Sequence, residues 1–84
     1  MHQHDSTVLE KLGELLSFTR KSARLSQREL AAKLAYSRTT ISRIERGKRD
    51  VGLFELKQLF AACGFVYTLS IVSDDRPKTV IASL

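Results

Sequence analysis

The chain has 84 residues, which limits it to one domain with a modest core that a second subunit would help to stabilise. Its 43% hydrophobic and 27% charged residues fit an ordinary globular domain. No apolar run approaches the ~18 residues of a membrane span, the polar start "MHQHDST" lacks the apolar core of a signal peptide, and the single Cys63 has no internal disulfide partner, so a reducing cytoplasm is expected. The net charge of +5 is unevenly placed: residues 20–49 carry +8 and the remainder −3. A surplus confined to one segment points to a polyanionic partner such as nucleic acid. A solvated basic face that merely aids solubility is the alternative.

Residues 1–6 read as a loose, flexible N-terminus. From Thr7 onward, Val8, Leu9, Leu12, Leu15, Leu16 and Ala23 fall at helical spacing. Thr7 with Glu10 has the spacing of a capping box, so the first helix is expected over about 8–23. Ser26 with Glu29 is a second capping box. It opens a helix over about 27–35 whose inward positions are Leu30, Ala31 and Leu34. Ser37 caps a third helix with Ile41 and Ile44 inward, and Gly47 in "RGKRD" breaks the pattern. A fourth helix is expected over about 53–63, with Leu53, Leu56, Leu59, Phe60 and Cys63 facing inward and Gly64 as its left-handed cap.

The texture then changes. In "FVYTLSIV", Phe65, Tyr67, Leu69 and Ile71 alternate with smaller side chains, a strand signal. "SDDRP" reads as a turn, and "KTVIASL" as a second strand or a mobile end. A lone strand leaves a row of backbone groups unpaired. Two solutions are open: a hairpin with residues 78–83, or pairing with the same strand of a second subunit. The second also stabilises a small domain, and the reading favours it. Residues 65–84 are therefore the expected dimerisation element, through Phe65, Val66, Tyr67, Leu69 and Ile71.

Counted from Gln27, Ala31, Ala35, Ile41 and Ile44 fall at the spacing of a helix-turn-helix. Ala31 is small where two helices cross. Ile41 and Ile44 seat the next helix, which turns Arg38, Thr39, Ser42 and Arg43 outward with Thr40 at the margin. The stretch "LSQRELAAKLAYSRTTISRIERGKR" resembles the Cro/C1-type (Xre) helix-turn-helix family of phage and plasmid repressors, and the likeness extends to about Gly64. It implies a mainly α fold, a lambda-repressor-like bundle of four to five helices followed here by a C-terminal strand, with residues 7–64 as the DNA-binding domain. It also implies that Arg20 and Glu45 form a structural ion pair joining the first helix to the third. If that pair is buried, losing one partner costs about 3–5 kcal/mol. Two positions depart from the family pattern: Ala35 stands where the turn usually has Gly, and Val51-Gly52 where Pro-Ser often precedes the fourth helix.

A recognition helix presents its N-terminal residues to base edges in the major groove. Arg can bridge guanine O6 and N7, and Thr and Ser offer a hydroxyl to any edge, Thr a methyl to thymine. Base readout is therefore assigned to Arg38, Thr39, Ser42 and Arg43, with Thr40 on a base or a phosphate. Phosphate contacts are assigned to Gln27, which has a family precedent, and to Ser37, Arg46, Lys48 and Arg49. The expected partner is double-stranded DNA with a palindromic operator, bound by a homodimer that represses transcription, often of its own gene.

The helical domain followed by "GFVYTLSIV" also looks like the HipB-type antitoxins, which implies a kinase-like toxin as a further partner. Catalysis is not expected. His2 and His4 have no third ligand at useful spacing, Asp74-Asp75 has no acid–base partner, and no glycine-rich phosphate loop occurs. Neither cofactor nor metal is implied. A protein-interaction module, or a phage or restriction-modification controller on the same scaffold, is the competing reading.

Overall fold

The structure, a computed structural model, describes residues 3–74 and 78–83, with side chains from residue 7 onward. Four helices, α1 (Gln3–Ser22), α2 (Gln27–Leu34), α3 (Arg38–Glu45) and α4 (Leu53–Ala62), precede two strands, β1 (Thr68–Val72) and β2 (Thr79–Ser83). The fold is mainly α, a small helical bundle with a C-terminal two-stranded sheet.

Each helix boundary has a local cause. The Ser26 hydroxyl accepts from the Glu29 backbone N–H at 2.9 Å, and the Glu29 carboxylate accepts from the Ser26 N–H at 2.8 Å, which closes the capping box that starts α2. Ala35 then adopts φ 60°, ψ 31° and ends α2 in the left-handed conformation. Ser37 caps α3 by accepting from Thr40 N–H at 3.1 Å. Gly52 has no side chain to cap α4. Instead the Glu55 carboxylate reaches back to accept from the Gly52 N–H at 3.0 Å. At the far end Gly64 takes φ 85°, and Phe65 N–H returns to the Phe60 carbonyl at 2.9 Å.

Two helix assignments change. α1 begins at Gln3, so Thr7 lies inside the helix and does not cap it. Residues 1–2 lie outside the described residues. Leu53, expected to face inward, is 60% exposed. As the first residue of α4 it stands in front of the core, which is reached only by Leu56, Leu59 and Phe60.

The core gathers Leu16 of α1, Leu30 and Ala31 of α2, Ile41 and Ile44 of α3, the three inward side chains of α4, and Cys63. α1 packs closely on α3 at Gly13, where a Cβ would run into the backbone carbonyls of Ile44 and Glu45, the first at 2.5 Å.

The strand after α4 is paired within its own chain. β1 and β2 are antiparallel, with Leu69 opposite Ala82 and Ile71 opposite Val80. Ser73 N–H donates to the Lys78 carbonyl at 3.0 Å. Of the two solutions open to β1, the chain adopts the hairpin with β2, which closes a short loop at little cost in entropy. The expected turn "SDDRP" falls in part on residues 75–77, which lie outside the described residues. Of the expected dimerisation residues, Phe65, Val66, Leu69 and Ile71 are exposed. Tyr67 is committed to its own subunit: its ring lies 5.6 Å from that of Phe60, and its hydroxyl donates to the Leu53 carbonyl at 3.0 Å.

Candidate nucleic-acid interface

α3 is held by two apolar side chains and, at its C-terminal end, by the ion pair of Glu45. Ile41 is fully buried and Ile44 nearly so, and the Glu45 side chain at the end of the helix is enclosed with them. On a helix this leaves the positions before and between them outside. Arg38, Thr39 and Arg43 are exposed, and Thr40 and Ser42 are half-buried. The Thr40 hydroxyl lies 3.0 Å from that of Ser37, so both are engaged at the cap. Ser42 lies on the side of α3 that faces α1, where a cleft of about 480 Å³ is bounded by Ser17, Lys21, Gln27, Ser42 and Arg46.

Behind α3 sits a hydrogen-bonded ion pair. Arg20 Nε lies 2.6 Å from Glu45 Oε2, and Arg20 Nη2 lies 3.1 Å from Oε1. The two side chains are 9% and 6% exposed, so the pair is buried. Arg20 Nη1 also donates to the Leu25 carbonyl at 2.8 Å. The Glu45 hydrogen bond raises the Arg20 pKa above its usual value and outweighs the opposing effect of burial. Glu45 Oε1 accepts a further bond from Gln27 Nε2 at 3.0 Å, and Gln27 Oε1 accepts from Arg38 Nη1, also at 3.0 Å.

The loop after α3 is fixed by a second cluster. Tyr36 donates to Glu55 Oε2 at 2.7 Å, and Arg49 Nη2 lies 3.1 Å from the same oxygen. The Arg49 guanidinium also lies 5.8 Å from the Tyr36 ring centre, within cation–π range. The Tyr36 hydroxyl first, then the Gly52 N–H and Arg49, hold the Glu55 carboxyl down at about 2. The same hydrogen bond pushes the Tyr36 phenol up. Arg49 is thus half occupied within the protein. Lys48 is exposed, and its carbonyl accepts from Arg43 Nη2 at 3.3 Å. Arg46 reaches the Ser42 carbonyl only at 3.4 Å.

One face therefore carries Arg38, Arg43, Arg46 and Lys48 beside the hydroxyls of Thr39 and Ser42. Sequence reasoning missed the links from Gln27 to Glu45 and Arg38, and the Tyr36–Glu55–Arg49 cluster. These are tertiary contacts with no periodic signature. Cys63 is buried, and burial pushes its thiol pKa up, which fits packing rather than nucleophilic chemistry. Among the described residues, no group of three His, Cys, Asp or Glu could hold a metal ion. No helix there is long and apolar enough to cross a membrane.

The family model of the helix-turn-helix domain matches residues 11–68, more than two thirds of the chain. The chain belongs to the helix-turn-helix family. A search of the curated proteins finds no match. Membership makes this a DNA-binding protein, with α2 and α3 as the two helices and residues 35–37 as the turn. The match ends at residue 68, where β1 begins.

Proposed function

We propose that the protein is a sequence-specific transcriptional regulator of the Cro/C1-type (Xre) kind, a homodimer that represses by occupying a palindromic operator. The observation that carries this reading is the division of labour on α3, where two isoleucines seat the helix and the exposed residues are arginines and a threonine. Arg38, Thr39, Ser42 and Arg43 take base edges, with Thr40 on a base or a phosphate. Ser37, Arg46 and Lys48 take phosphates, and Arg49 can join them only by sharing its bond to Glu55. A two-fold dimer then sets the half-site centres about 34–36 Å apart.

Dimerisation is assigned to the exposed apolar residues Phe65, Val66, Leu69 and Ile71. Phe65, Val66 and Leu69 line a groove of about 390 Å³ together with Leu15 and Leu53. The groove carries no charged side chain, so two basic copies can meet there without repulsion. Expressed with its native neighbours, a HipB-type antitoxin would copurify with a kinase-like toxin, whereas an autorepressor would be recovered with DNA alone.

The test is selection of an operator from randomised duplex DNA, followed by binding at several salt concentrations. Arg43→Ala is expected to lose about 1–3 kcal/mol on the operator and to relax preference at one base pair. Lys48→Ala is expected to weaken all sequences alike and to lower the salt slope by about one. Equal losses for both variants on operator and random DNA would overturn the assignment. Failure of the protein to bind a DNA column in a salt-dependent way would favour a protein-interaction module.

A further inference from the structure

We propose that Glu55 withholds Arg49 from the DNA backbone: the carboxylate keeps the guanidinium as an internal partner, so the loop after α3 meets phosphate through Arg46 and Lys48 alone. The inference rests on the proposed reading that α3 and this loop face DNA.

Arg49 is held differently from the other arginines of this face. Arg38, Arg43 and Arg46 donate to neutral oxygens, those of the Gln27 amide, the Lys48 carbonyl and the Ser42 carbonyl. Arg49 meets a carboxylate: its Nη2 lies 3.1 Å from Glu55 Oε2 and its Nη1 3.5 Å from Oε1. Nη1 also donates to the Asp50 carbonyl at 3.0 Å. The Tyr36 ring centre stands 5.8 Å from the guanidinium carbon and adds a cation–π contact. Four groups of the protein thus share one cation.

The carboxylate is itself fixed from three segments. Tyr36 donates to it from the turn before α3 at 2.7 Å, the Gly52 N–H from the start of α4 at 3.0 Å, and Arg49 from the loop between. Glu55 cannot follow Arg49 outward without giving up the cap of its own helix. Arg49 therefore has two routes to a phosphate. It can leave Glu55, which strands a carboxylate beside the DNA backbone. It can keep Glu55, which brings two anions together on one cation. Both routes carry an electrostatic cost that Arg46, bonded to a neutral carbonyl, does not meet. A neutral pair releases no net counterion, whereas each unpaired cation that meets a phosphate steepens the salt dependence by about 0.9. Glu55 thus sets how strongly the protein holds any duplex without touching a base.

The test measures binding of the full chain to random duplex DNA and to the selected operator over a range of salt. Glu55→Gln removes the charge and keeps an oxygen for Tyr36, and thermal unfolding verifies that the variant folds. The freed Arg49 is expected to steepen the salt slope by about one and to raise affinity for both DNAs about 3- to 10-fold at about 0.15 M salt, with base preference unchanged. Glu55→Gln combined with Arg49→Ala removes a neutral pair, so its slope should match the parent and its affinity lie within about 2-fold. Tyr36→Phe, which loses a hydrogen bond but no charge, should lower stability and leave the slope as it is. A slope reduced by about one in the double variant would make Arg49 a phosphate ligand even while paired and overturn the inference, leaving the DNA reading intact. An unchanged slope in Glu55→Gln would overturn it as well. If Glu55→Gln does not fold, the unmodified protein decides: the carbon NMR signal of the Glu55 carboxyl keeps its position on adding duplex if the pair persists, and a displaced signal overturns the inference. A parent protein that bound no duplex in a salt-dependent way would remove the DNA reading first and the inference with it.

Discussion

Gly13 of α1 lies directly beneath the backbone carbonyl of Glu45, with no room for a Cβ between the two helices. The same Glu45 receives Arg20 through its carboxylate. α1 thus holds the C-terminal end of α3 at two adjacent places, once by omitting a side chain and once by charge. For Gly13→Ala, two effects compete. Alanine is the better helix former by about 1 kcal/mol, but the overlap falls on backbone atoms that cannot rotate away and costs about 1–3 kcal/mol or more. The expected outcome is a net loss of stability in urea unfolding followed by circular dichroism. A stabilised variant would mean that α1 and α3 can separate at no cost.

The Arg20–Glu45 pair makes a sharper prediction. Arg20→Ala leaves a buried carboxylate without its partner and is expected to cost about 3–5 kcal/mol. For a domain this size that is about 12 °C or more in the melting temperature. Replacing both members, as Arg20→Met with Glu45→Leu, should recover most of the loss, because neither charge then remains unpaired. If the single and double variants melted together, the loss would come from packing alone.

The Glu55 cluster predicts an acid-sensitive contribution to stability. The folded carboxyl titrates at about 2 against an ordinary 4.5. A depressed folded value means that the contribution is complete above the unfolded value and is lost as pH falls from about 4.5 towards 2. Glu55 is 29% exposed, so solvent screening reduces the effect to about 1–2 kcal/mol. Tyr36→Phe removes the largest cause of the shift and should flatten the dependence of unfolding free energy on pH between 7 and 3. An identical pH profile in the two proteins would show that the phenol does not hold the carboxyl down.

Ala35 predicts a gain. Its φ of 60° costs a residue with a Cβ about 1–2 kcal/mol. Glycine relieves that cost and gives back about 0.5–1 kcal/mol through its freer unfolded chain. The side chain is exposed, so no packing is lost. Ala35→Gly should therefore raise the urea midpoint slightly with an unchanged slope, whereas a lowered midpoint would show that the turn is not strained.

These sites differ in how far the sequence reveals them. The Ser26–Glu29 box, the burial of Ile41 and Ile44, the left-handed Gly64 and the exposure of Arg38, Thr39 and Arg43 follow from spacing and residue type, because they are decided within one or two helical turns. The start of α1 is not legible, since the capping signal at Thr7 competes with continued helix and loses. Leu53 fits the apolar stripe of α4 but lies too early in the helix to meet the core. The pairing of β1 is decided by a choice between two partners that residue pattern alone does not rank. Tyr36 with Glu55, and Gln27 with Glu45 and Arg38, meet only after the chain folds, so nothing in their sequence separation announces them.

With Ile41, Ile44 and the Glu45 side chain enclosed and Thr40 engaged at the cap, the exposed Thr39 and Arg43 are spare as far as folding is concerned. If the proposed base-reading role of Thr39 and Arg43 holds, these two can be exchanged like type in a fixed press, redirecting the protein to another DNA sequence while its interior stays as it is. Arg38 is the exception, because replacing it strands a carbonyl oxygen on Gln27.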